Sequence, residues 1–436
     1  MAKIVFEARI KAEIMKLKSL LSNGVIVLVG GAGAAQFVSL IASPLITRIF
    51  SPSDFGAFGL CLAVVSICSV VVTATYDQAI IMAPRGTWAI NLAALSLLVA
   101  LLAIISLSAI FAVTLEFSIF LPYKNIVSQY IYLIPPIIFI TCLNSIMIQL
   151  FLRKKKFKYV SASRFMQASF VTIFQIASGL FFVSTFGLLG GYAAGLLLAV
   201  SFLVYFQIKR SALKLKLVSI SSMLEVGKMY SKFPKYMILG QLSNTISSNL
   251  PVLLLGVLYG TSVAGLYALA QRLLAAPVSL ILTAVSDVYK TSASPLYNLS
   301  GNCKNLFLKN SRLLATYPLL PLSVIVILGE SVFSILFGKN WGEAGEIASV
   351  VAIMVYFQCL STPMASTVLL AGLQRYDLIW QILRTLLCGV GVIAGYYFYE
   401  DYMVSIKLYV LALSILYVAH YVLQYYAACG SIKELS

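Results

Sequence analysis

The sequence has few charged residues, and this scarcity indicates the class of protein. Of 436 residues, 10% are charged and 61% are hydrophobic, and the mean hydropathy is +0.97. Soluble domains carry about a quarter charged residues. Apolar windows of about 20 residues recur along the whole chain, a pattern typical of repeated membrane-spanning helices. The sequence therefore predicts an all-α integral membrane protein and excludes a soluble domain of this length.

Histidine and paired cysteines are also scarce. His420 is the only histidine, which excludes a His-based metal site or catalytic triad, and we interpret it as a packing or interfacial residue. The seven cysteines are scattered, mostly in apolar runs, and form no CxxC pair. They are typical of small buried residues rather than of disulfides or metal ligands. No metal site, no cofactor and no enzymatic activity are expected.

Acidic residues are outnumbered, with 14 Asp and Glu against 31 Lys and Arg, giving a net charge of +17. The basic residues cluster in short loops between apolar spans, so they indicate membrane topology rather than nucleic-acid binding. We interpret the chain as twelve spans whose basic loops alternate with poorly charged ones. This alternation predicts that both termini are cytoplasmic.

The spans divide into two halves around a polar segment near the midpoint. The predicted organisation is a cytoplasmic amphipathic segment (1–23), an N-lobe of six spans (24–208), a cytoplasmic linker (209–233), a C-lobe of six spans (234–428) and a cytoplasmic tail (429–436). The hairpin "RIFSPSDFGAFGL" (48–60) is echoed by "VLYGTSVAGLYAL" (257–269), which aligns Gly56 with Gly265. Six spans per half make this a parallel repeat about an axis along the membrane normal. Chance similarity of apolar segments is the alternative.

Polar residues recur at helical spacing in the first two spans of each half. Such stripes predict a shared hydrated cavity, because a helix face in contact with lipid has no reason to be polar. Hydrogen bonds within and between helices are an alternative explanation for the hydroxyls. The candidate cavity residues are Gln36, Ser43, Gln241, Asn244, Gln271, Arg272 and Ser279.

Two charged residues lie well inside spans, where a lone charge is costly unless it faces water or a partner. Arg272 is a candidate for binding phosphate, because a guanidinium matches phosphate oxygens bidentately. Asp77 is a candidate for ion coupling to an H⁺ or Na⁺ gradient, since burial can raise the pKa of a carboxyl group. Arg48, Arg164 and Arg384 lie at or near span ends and are secondary cationic candidates, for which snorkelling to the headgroups is the favoured interpretation.

Four motifs resemble a known family: "LITRIFSPSDFGAFGL" (45–60), "TYDQAI" (75–80), "FLRKKKFK" (151–158) and "AGLYALAQRLLAAP" (264–277). They are similar to motifs of polysaccharide (O-antigen, Wzx-type) flippases in the multidrug/oligosaccharidyl-lipid/polysaccharide exporter superfamily. The resemblance implies two six-helix lobes in a V around a cationic cavity. It also implies movement of an undecaprenyl-pyrophosphate-linked oligosaccharide from the cytoplasmic to the periplasmic leaflet of the bacterial inner membrane.

The family often has Arg-Tyr-Glu where this chain has Thr75-Tyr76-Asp77, which weakens the carry-over of ion coupling to Asp77. Expected partners are the lipid-linked oligosaccharide, membrane lipids and polysaccharide-assembly proteins such as a polymerase. The alternatives are a multidrug or organic-cation exporter of the same superfamily and a lipid II-type flippase. A membrane-embedded glycosyltransferase or polymerase ranks last, because the longest loops are basic and cytoplasmic.

Overall fold

The computed structural model describes residues 27–117, 130–211, 218–231 and 233–430, and these ranges contain no strand. Besides the α-helices there are a π-helical turn, Phe233–Met237, and two short 3₁₀ turns, Lys339–Trp341 and Thr362–Met364. The helices in chain order are α1 (Val27–Ile49), α2 (Pro52–Val72), α3 (Tyr76–Met82), α4 (Gly86–Phe117), α5 (Ile134–Arg153), α6 (Phe157–Phe181), α7 (Thr185–Ser211), α8 (Ile220–Met229), α9 (Ile238–Tyr259), α10 (Thr261–Ser300), α11 (Lys304–Thr316), α12 (Leu319–Phe337), α13 (Gly342–Ser361), α14 (Ser366–Leu370), α15 (Gln374–Tyr399) and α16 (Tyr402–Ala428).

Among the described residues, eleven helical segments are long and apolar enough to cross a membrane. This confirms the all-α, multi-pass membrane fold. The predicted fifth span, 159–184, corresponds to α6, a helix of 25 residues that is not among the eleven. It carries Lys158, Arg164, Gln167 and Gln175. The count of twelve spans therefore stays a prediction.

Local sequence explains where the second helix begins. Ser51 caps α2: its Oγ accepts from Asp54 N at 3.3 Å, and Asp54 Oδ2 accepts from Ser51 N at 3.2 Å. Pro52 follows at the first helical position, where a missing N–H costs nothing. Because of this reciprocal cap, only two residues separate the end of α1 from the start of α2.

The two echoing hairpins lie against each other. A Cβ at Gly56 would lie 1.7 Å from the Thr261 carbonyl oxygen, and one at Gly265 would lie 1.9 Å from the Pro52 carbonyl oxygen. Only glycine allows α2 and α10 to approach this closely. Beside them, Ser53 Oγ and Thr261 Oγ1 are 2.9 Å apart and share a hydrogen bond. The aligned glycines of the repeat are thus contact residues between the two halves.

A tryptophan from the second half reinforces this contact. Trp341 is 1% exposed, and its Nε1 donates to the Thr47 carbonyl oxygen at 2.9 Å. Its ring meets Phe55 edge to face, with the ring centroids 5.1 Å apart. The hairpin end of the molecule, which the charge pattern predicts as periplasmic, is therefore closed by packed residues of both halves.

The predicted linker contains a helix. α7 continues to Ser211, and α8 packs on the first half. Ser219 N donates to Asn91 Oδ1 at 3.2 Å, and Tyr76 Oη donates to the Gly227 carbonyl oxygen at 3.3 Å. The predicted amphipathic segment 1–23 and residues 431–436 of the predicted tail lie outside the described residues. The lobe boundaries stay predictions.

Candidate functional site

A cavity of about 490 Å³ lies among α1, α2, α6, α7 and α10. This volume is within the usual range of ligand sites, about 300–1,000 Å³. Aromatic rings form part of the wall, and Phe58 meets Tyr192 edge to face with the centroids 6.1 Å apart. The polar lining residues are Gln36, Ser39, Arg164, Gln167, Gln175, Tyr192 and Arg272.

Two arginines dominate the electrostatics of this cavity. Arg164 comes from α6 and Arg272 from α10, so the two halves contribute one guanidinium each. Among the described residues that line the cavity there is no Asp or Glu. Neither arginine has an ion-pair partner within the described part of the chain. Two uncompensated positive charges in a partly desolvated space attract an anion strongly.

Close packing of α6 on α7 positions Arg164. A Cβ at Gly195 would lie 2.3 Å from Val171 N, so the two helices touch through their backbones. Gln175 is 2% exposed and donates from Nε2 to the Leu188 carbonyl oxygen at 3.1 Å, which fixes the register of the pair. With α7 on one side, the polar stripe of α6 turns toward the cavity.

Gln36 and Arg272 are the two candidate cavity residues that line this cavity. Gln36 Nε2 donates to Ser279 Oγ at 3.4 Å, a hydrogen bond between α1 and α10. Another hydrogen bond between the halves runs from Asn249 Nδ2 to Ser66 Oγ at 3.2 Å. Polar residues of the first two helices in each half therefore do meet at one interface.

The other candidate cavity residues lie outside its lining. Ser43 is 1% exposed, and its Oγ donates to the Ser39 carbonyl oxygen at 2.7 Å. Asn244 accepts a hydrogen bond from Arg384 at 3.2 Å, and Gln271 and Gln241 are half-buried. Several hydroxyls of the stripes also bond to carbonyls of their own helix, which is the alternative explanation given above: Thr47, Ser66, Ser69, Thr73, Ser248, Ser279 and Thr283.

Asp77, the candidate for ion coupling, lies away from the cavity. It is 6% exposed at the start of α3, and its Oδ2 accepts from Ser145 Oγ of α5 at 2.5 Å. The residues before it, Ala74 and Thr75, have positive φ angles of 47° and 55°. This left-handed turn breaks the second predicted span into α2 and α3 and directs Asp77 toward α5 rather than toward the cavity.

The three secondary arginines have different surroundings. Arg164 lines the cavity, whereas Arg48 is exposed at the end of α1. The Arg384 guanidinium lies over the Trp380 ring, 5.2 Å from its centroid. Its Nη2 donates to Asn244 Oδ1. Arg384 is thus held between α15 and α9.

The basic turn after α5 is built into the fold. Arg153 Nε donates to the Ala83 carbonyl oxygen at 3.0 Å, and Lys154 Nζ donates to Gln207 Oε1 at 3.4 Å. Burial and the neighbouring Lys156 and Arg153 charges lower the pKa of Lys154. The turn therefore ties together the ends of α3, α5 and α7, in addition to carrying positive charge.

Sequence reasoning did not identify Gln167, Gln175 and Tyr192. The signal was present in α6, where Arg164, Gln167 and Gln175 recur at intervals that place them on one helix face. For metals, the described residues contain no group of three or more His, Cys, Asp or Glu that could hold an ion.

Solved transporters share this fold. An inward-facing multidrug resistance MATE family transporter of the MOP superfamily has a TM-score of 0.65 at 14% identity, over 96% of this chain and 99% of that one. The lipid II flippase MurJ in an inward closed conformation has a TM-score of 0.68 at 13% identity, over 92% of this chain and 86% of that one. A MOP superfamily transporter from Pyrococcus furiosus has a TM-score of 0.60 at 13% identity, over 95% and 96%. At these identities the likeness shows the fold.

Sequence comparison finds similarity to proteins of polysaccharide biosynthesis. The teichuronic acid biosynthesis protein TuaB of Bacillus subtilis (strain 168) is 26% identical over 169 residues, which are 38% of this chain and 35% of that relative's length. The model of the family described as polysaccharide biosynthesis protein matches residues 45–346. These findings confirm the resemblance to polysaccharide flippases that the motifs indicate. Since the family model covers more than half of the sequence, the chain belongs to the polysaccharide biosynthesis protein family, and its fold is that of MOP superfamily transporters.

Proposed function

We propose that the protein is a flippase for an undecaprenyl-pyrophosphate-linked oligosaccharide, which it moves from the cytoplasmic to the periplasmic leaflet of the bacterial inner membrane. The observation that carries this proposal is the pair Arg164 and Arg272 in one cavity whose described lining includes no carboxylate. A pyrophosphate carries the matching negative charge, and each guanidinium can hold it through paired N–H groups.

The rest of the lining suits a sugar. Gln36 and Gln167 supply amide donors and acceptors, and Tyr192 supplies a hydroxyl and an aromatic ring. Gln36 Oε1 is buried without a hydrogen-bond partner, so it is ready to accept from a cargo hydroxyl. The sugar would travel through this polar space while the polyprenyl tail stays in the lipid.

Transport requires the closed end to open. With the hairpins in contact through Gly56 and Gly265, the cavity is shut on the predicted periplasmic side. Release there would need α2 and α10 to separate as one lobe rocks against the other. In this proposal both termini are cytoplasmic, an H⁺ or Na⁺ gradient drives the cycle, and no bond of the cargo is made or broken. A polymerase on the periplasmic side would receive the cargo.

The alternatives differ in the charge and head group of the cargo. An organic cation would be repelled by Arg164 and Arg272, with no carboxylate among the lining residues to offset them. A lipid II-type cargo shares the pyrophosphate and differs in its sugars and peptide. Binding of the lipid pyrophosphate therefore tests the charge argument, and competition between head groups separates the two anionic cargoes.

The experiment compares binding of undecaprenyl pyrophosphate to the purified full-length protein and to R164Q, R272Q, R164K, R272K and the control R85Q. Arg85 is exposed near the start of α4, outside the cavity. Hydrogen bonds to charged groups contribute about 1.5–3 kcal/mol each, so each Gln variant should bind about 10- to 150-fold more weakly. The Lys variants should lose less, and R85Q should bind as the wild type does.

R164Q and R272Q should also fail to restore surface polysaccharide in a flippase-null strain at equal expression. R164K and R272K should restore it in part, and R85Q should restore it fully. Unchanged binding by the double variant R164Q/R272Q would overturn the proposal. Tight binding of tetraphenylphosphonium in place of the lipid pyrophosphate would favour the organic-cation exporter.

A further inference from the structure

The second half of the chain contains a cluster of polar and aromatic groups that the cavity does not use. His420 of α16 is 2% exposed, and its Nε2 lies 3.8 Å from Oδ1 of Asp377 on α15, which is 20% exposed. Within the described part of the chain this is the one pairing of oppositely chargeable side chains at ion-pair distance. We propose that Asp377 and His420 form the proton-binding site that couples transport to a proton gradient, and that Trp380 transmits its loading to Arg384. This inference rests on the flippase function proposed above.

One side of the imidazole is fully occupied. His420 Nδ1 is 2.9 Å from Ser361 Oγ and 3.0 Å from Gln424 Nε2. Gln424 Nε2 also donates to Ser361 Oγ at 3.3 Å, so the three side chains form a closed network. This network holds the ring in one orientation, with Nε2 directed toward α15.

The other side of the ring has no hydrogen-bond partner. His420 Nε2 is buried and unsatisfied. If the neutral ring carries its proton on Nδ1, a lone pair on Nε2 faces the carboxylate of Asp377, and Nδ1–H faces the amide donor of Gln424. If it carries the proton on Nε2, the 3.8 Å gap is too long for a hydrogen bond. Both neutral tautomers therefore leave a buried polar atom unpaired.

One added proton would let both ring nitrogens of His420 form hydrogen bonds. A proton from water would bind the free ring nitrogen and give an imidazolium, in which both nitrogens donate. Nε2–H can then reach Asp377 Oδ1 after a small approach of the two side chains. Nδ1–H donates to Ser361 Oγ, and the Gln424 amide turns over so that its unpartnered Oε1, rather than its NH₂ group, faces Nδ1–H.

Few other charges act on this site. The charged groups of α15 that face His420 are Asp377 and Arg384. From α13 the facing group is the neutral hydroxyl of Ser361, and α14 carries no titratable side chain. Further groups along the helix are Tyr417, which packs on Trp380, and Phe307 and Lys304 of α11, which contact the rings of Tyr421 and Tyr425.

Trp380 connects the site to Arg384. Its indole stacks on the His420 ring, with the centroids 4.2 Å apart and an interplanar angle of 18°. The same indole lies under the Arg384 guanidinium. An imidazolium and a guanidinium on one indole compete for the same ring electrons and repel each other. Loading of His420 should therefore loosen Arg384 from Trp380.

Arg384 passes this change to α9. Its Nη2 donates to Asn244, its Nε is buried without a partner, and Tyr417 is a further hydrogen-bond partner of the guanidinium. The next turn of α9 carries Asn249, which bonds to Ser66 of α2 across the two halves. A displacement of Arg384 thus acts on the helix that joins the halves.

The single histidine allows a direct measurement of the site. The test is NMR of the full-length protein, carrying a His-free affinity tag and selectively labelled with ¹³C and ¹⁵N histidine, as a function of pH. One ring signal should change reversibly with pH as the imidazole takes up and releases its proton. In D377N the fraction of protonated ring at a given pH should fall about ten-fold or more, the effect of one lost charge partner. The neighbouring variant Y421F should match the wild type. A ring that stays neutral or stays charged at every pH at which the protein remains folded would overturn the proposal.

The second measurement is proton movement in vesicles that contain pyranine and the reconstituted protein, after undecaprenyl pyrophosphate is added. H420Q can keep the hydrogen bond to Ser361 but cannot take up a proton. It should lose about ten-fold or more of the probe-driven proton flux while it binds the probe as the wild type does. Equal flux in H420Q and wild type would overturn the proposal. Failure of the flippase function would appear differently, as probe binding that R164Q/R272Q leaves unchanged, whatever the NMR titration shows.

Discussion

The cavity and the cluster around His420 on α15 and α16 both contain arginine. The cavity guanidiniums lack protein partners, whereas the guanidinium in the cluster has them. In the cavity, Arg164 and Arg272 have no hydrogen bond or ion pair within the described part of the chain. In the cluster, Arg384 lies on Trp380 and bonds to Asn244. The atoms without a partner there include His420 Nε2, which lies beside the Asp377 carboxylate.

The difference indicates what each region is built to receive. Uncompensated guanidiniums inside a membrane protein are costly, so they point to an anionic cargo that offsets them. A buried imidazole that is one proton short of a complete network points to a proton. One half supplies most of the cargo site and the other supplies the candidate coupling site, joined by the hairpin contact and by α9.

The largest effect is expected from a covalent bond between the halves, because it would prevent both regions from cycling. Ser53 Oγ and Thr261 Oγ1 are 2.9 Å apart, so S53C/T261C should form a disulfide on oxidation. Transport should fall to background and return after reduction. The controls are each single variant and the oxidised wild type. Full transport by the cross-linked protein would mean that the hairpins do not separate.

The next largest effect is expected when a carboxylate is placed in each region in turn, because only the one in the cavity should weaken binding of the cargo. Q167E puts an acid among the cavity arginines. It should weaken binding of undecaprenyl pyrophosphate about ten-fold, since a fixed internal partner competes with the cargo. The matched variant Q381E, in the residue that donates to Asp377 Oδ2, should bind the probe as the wild type does. Equal losses in both variants would show that overall charge, not the cavity, governs binding.

The sequence predicts the fold well because its signals are local. Apolar windows of about 20 residues locate the helices. The alignment of Gly56 with Gly265 shows where the halves correspond. Arg272 could be singled out because it lies deep within a span. Each of these features depends on residues near one another in sequence or on a repeated motif.

The remaining features depend on packing between helices. Arg164 lies near a span end, so its sequence position fits snorkelling as well as a cavity, and only the contact of α6 with α7 decides between them. The left-handed turn before Asp77 could not be inferred from its residue types. His420 lacks any motif partner, because Asp377 lies on a different helix and Ser361 on a third.

Removal of one serine hydroxyl from each region should lower the stability of the protein in the cluster but not in the cavity wall. Ser361 is fully buried, and S361A removes its bonds to His420 and Gln424. We expect a loss of about 1–2 kcal/mol in the free energy of unfolding, measured as a lower Tm in detergent. S39A in the cavity wall should leave Tm unchanged, because that hydroxyl lines an open space. A larger loss from S39A would mean that the cavity wall, and not the cluster, depends on its polar contacts.

The smallest effect is expected for an arginine outside both regions. Arg48 is exposed at the end of α1, where its side chain can reach the headgroups. R48Q should change the Kd for undecaprenyl pyrophosphate by less than about five-fold, because exposed charges contribute about 0–1 kcal/mol. R48Q removes the same charge from the chain as R272Q does, but it leaves the cavity intact, so the two variants should be measured together. A loss in R48Q as large as that in R272Q would show that the number of positive charges, rather than their position around the cavity, determines recognition of the phosphate.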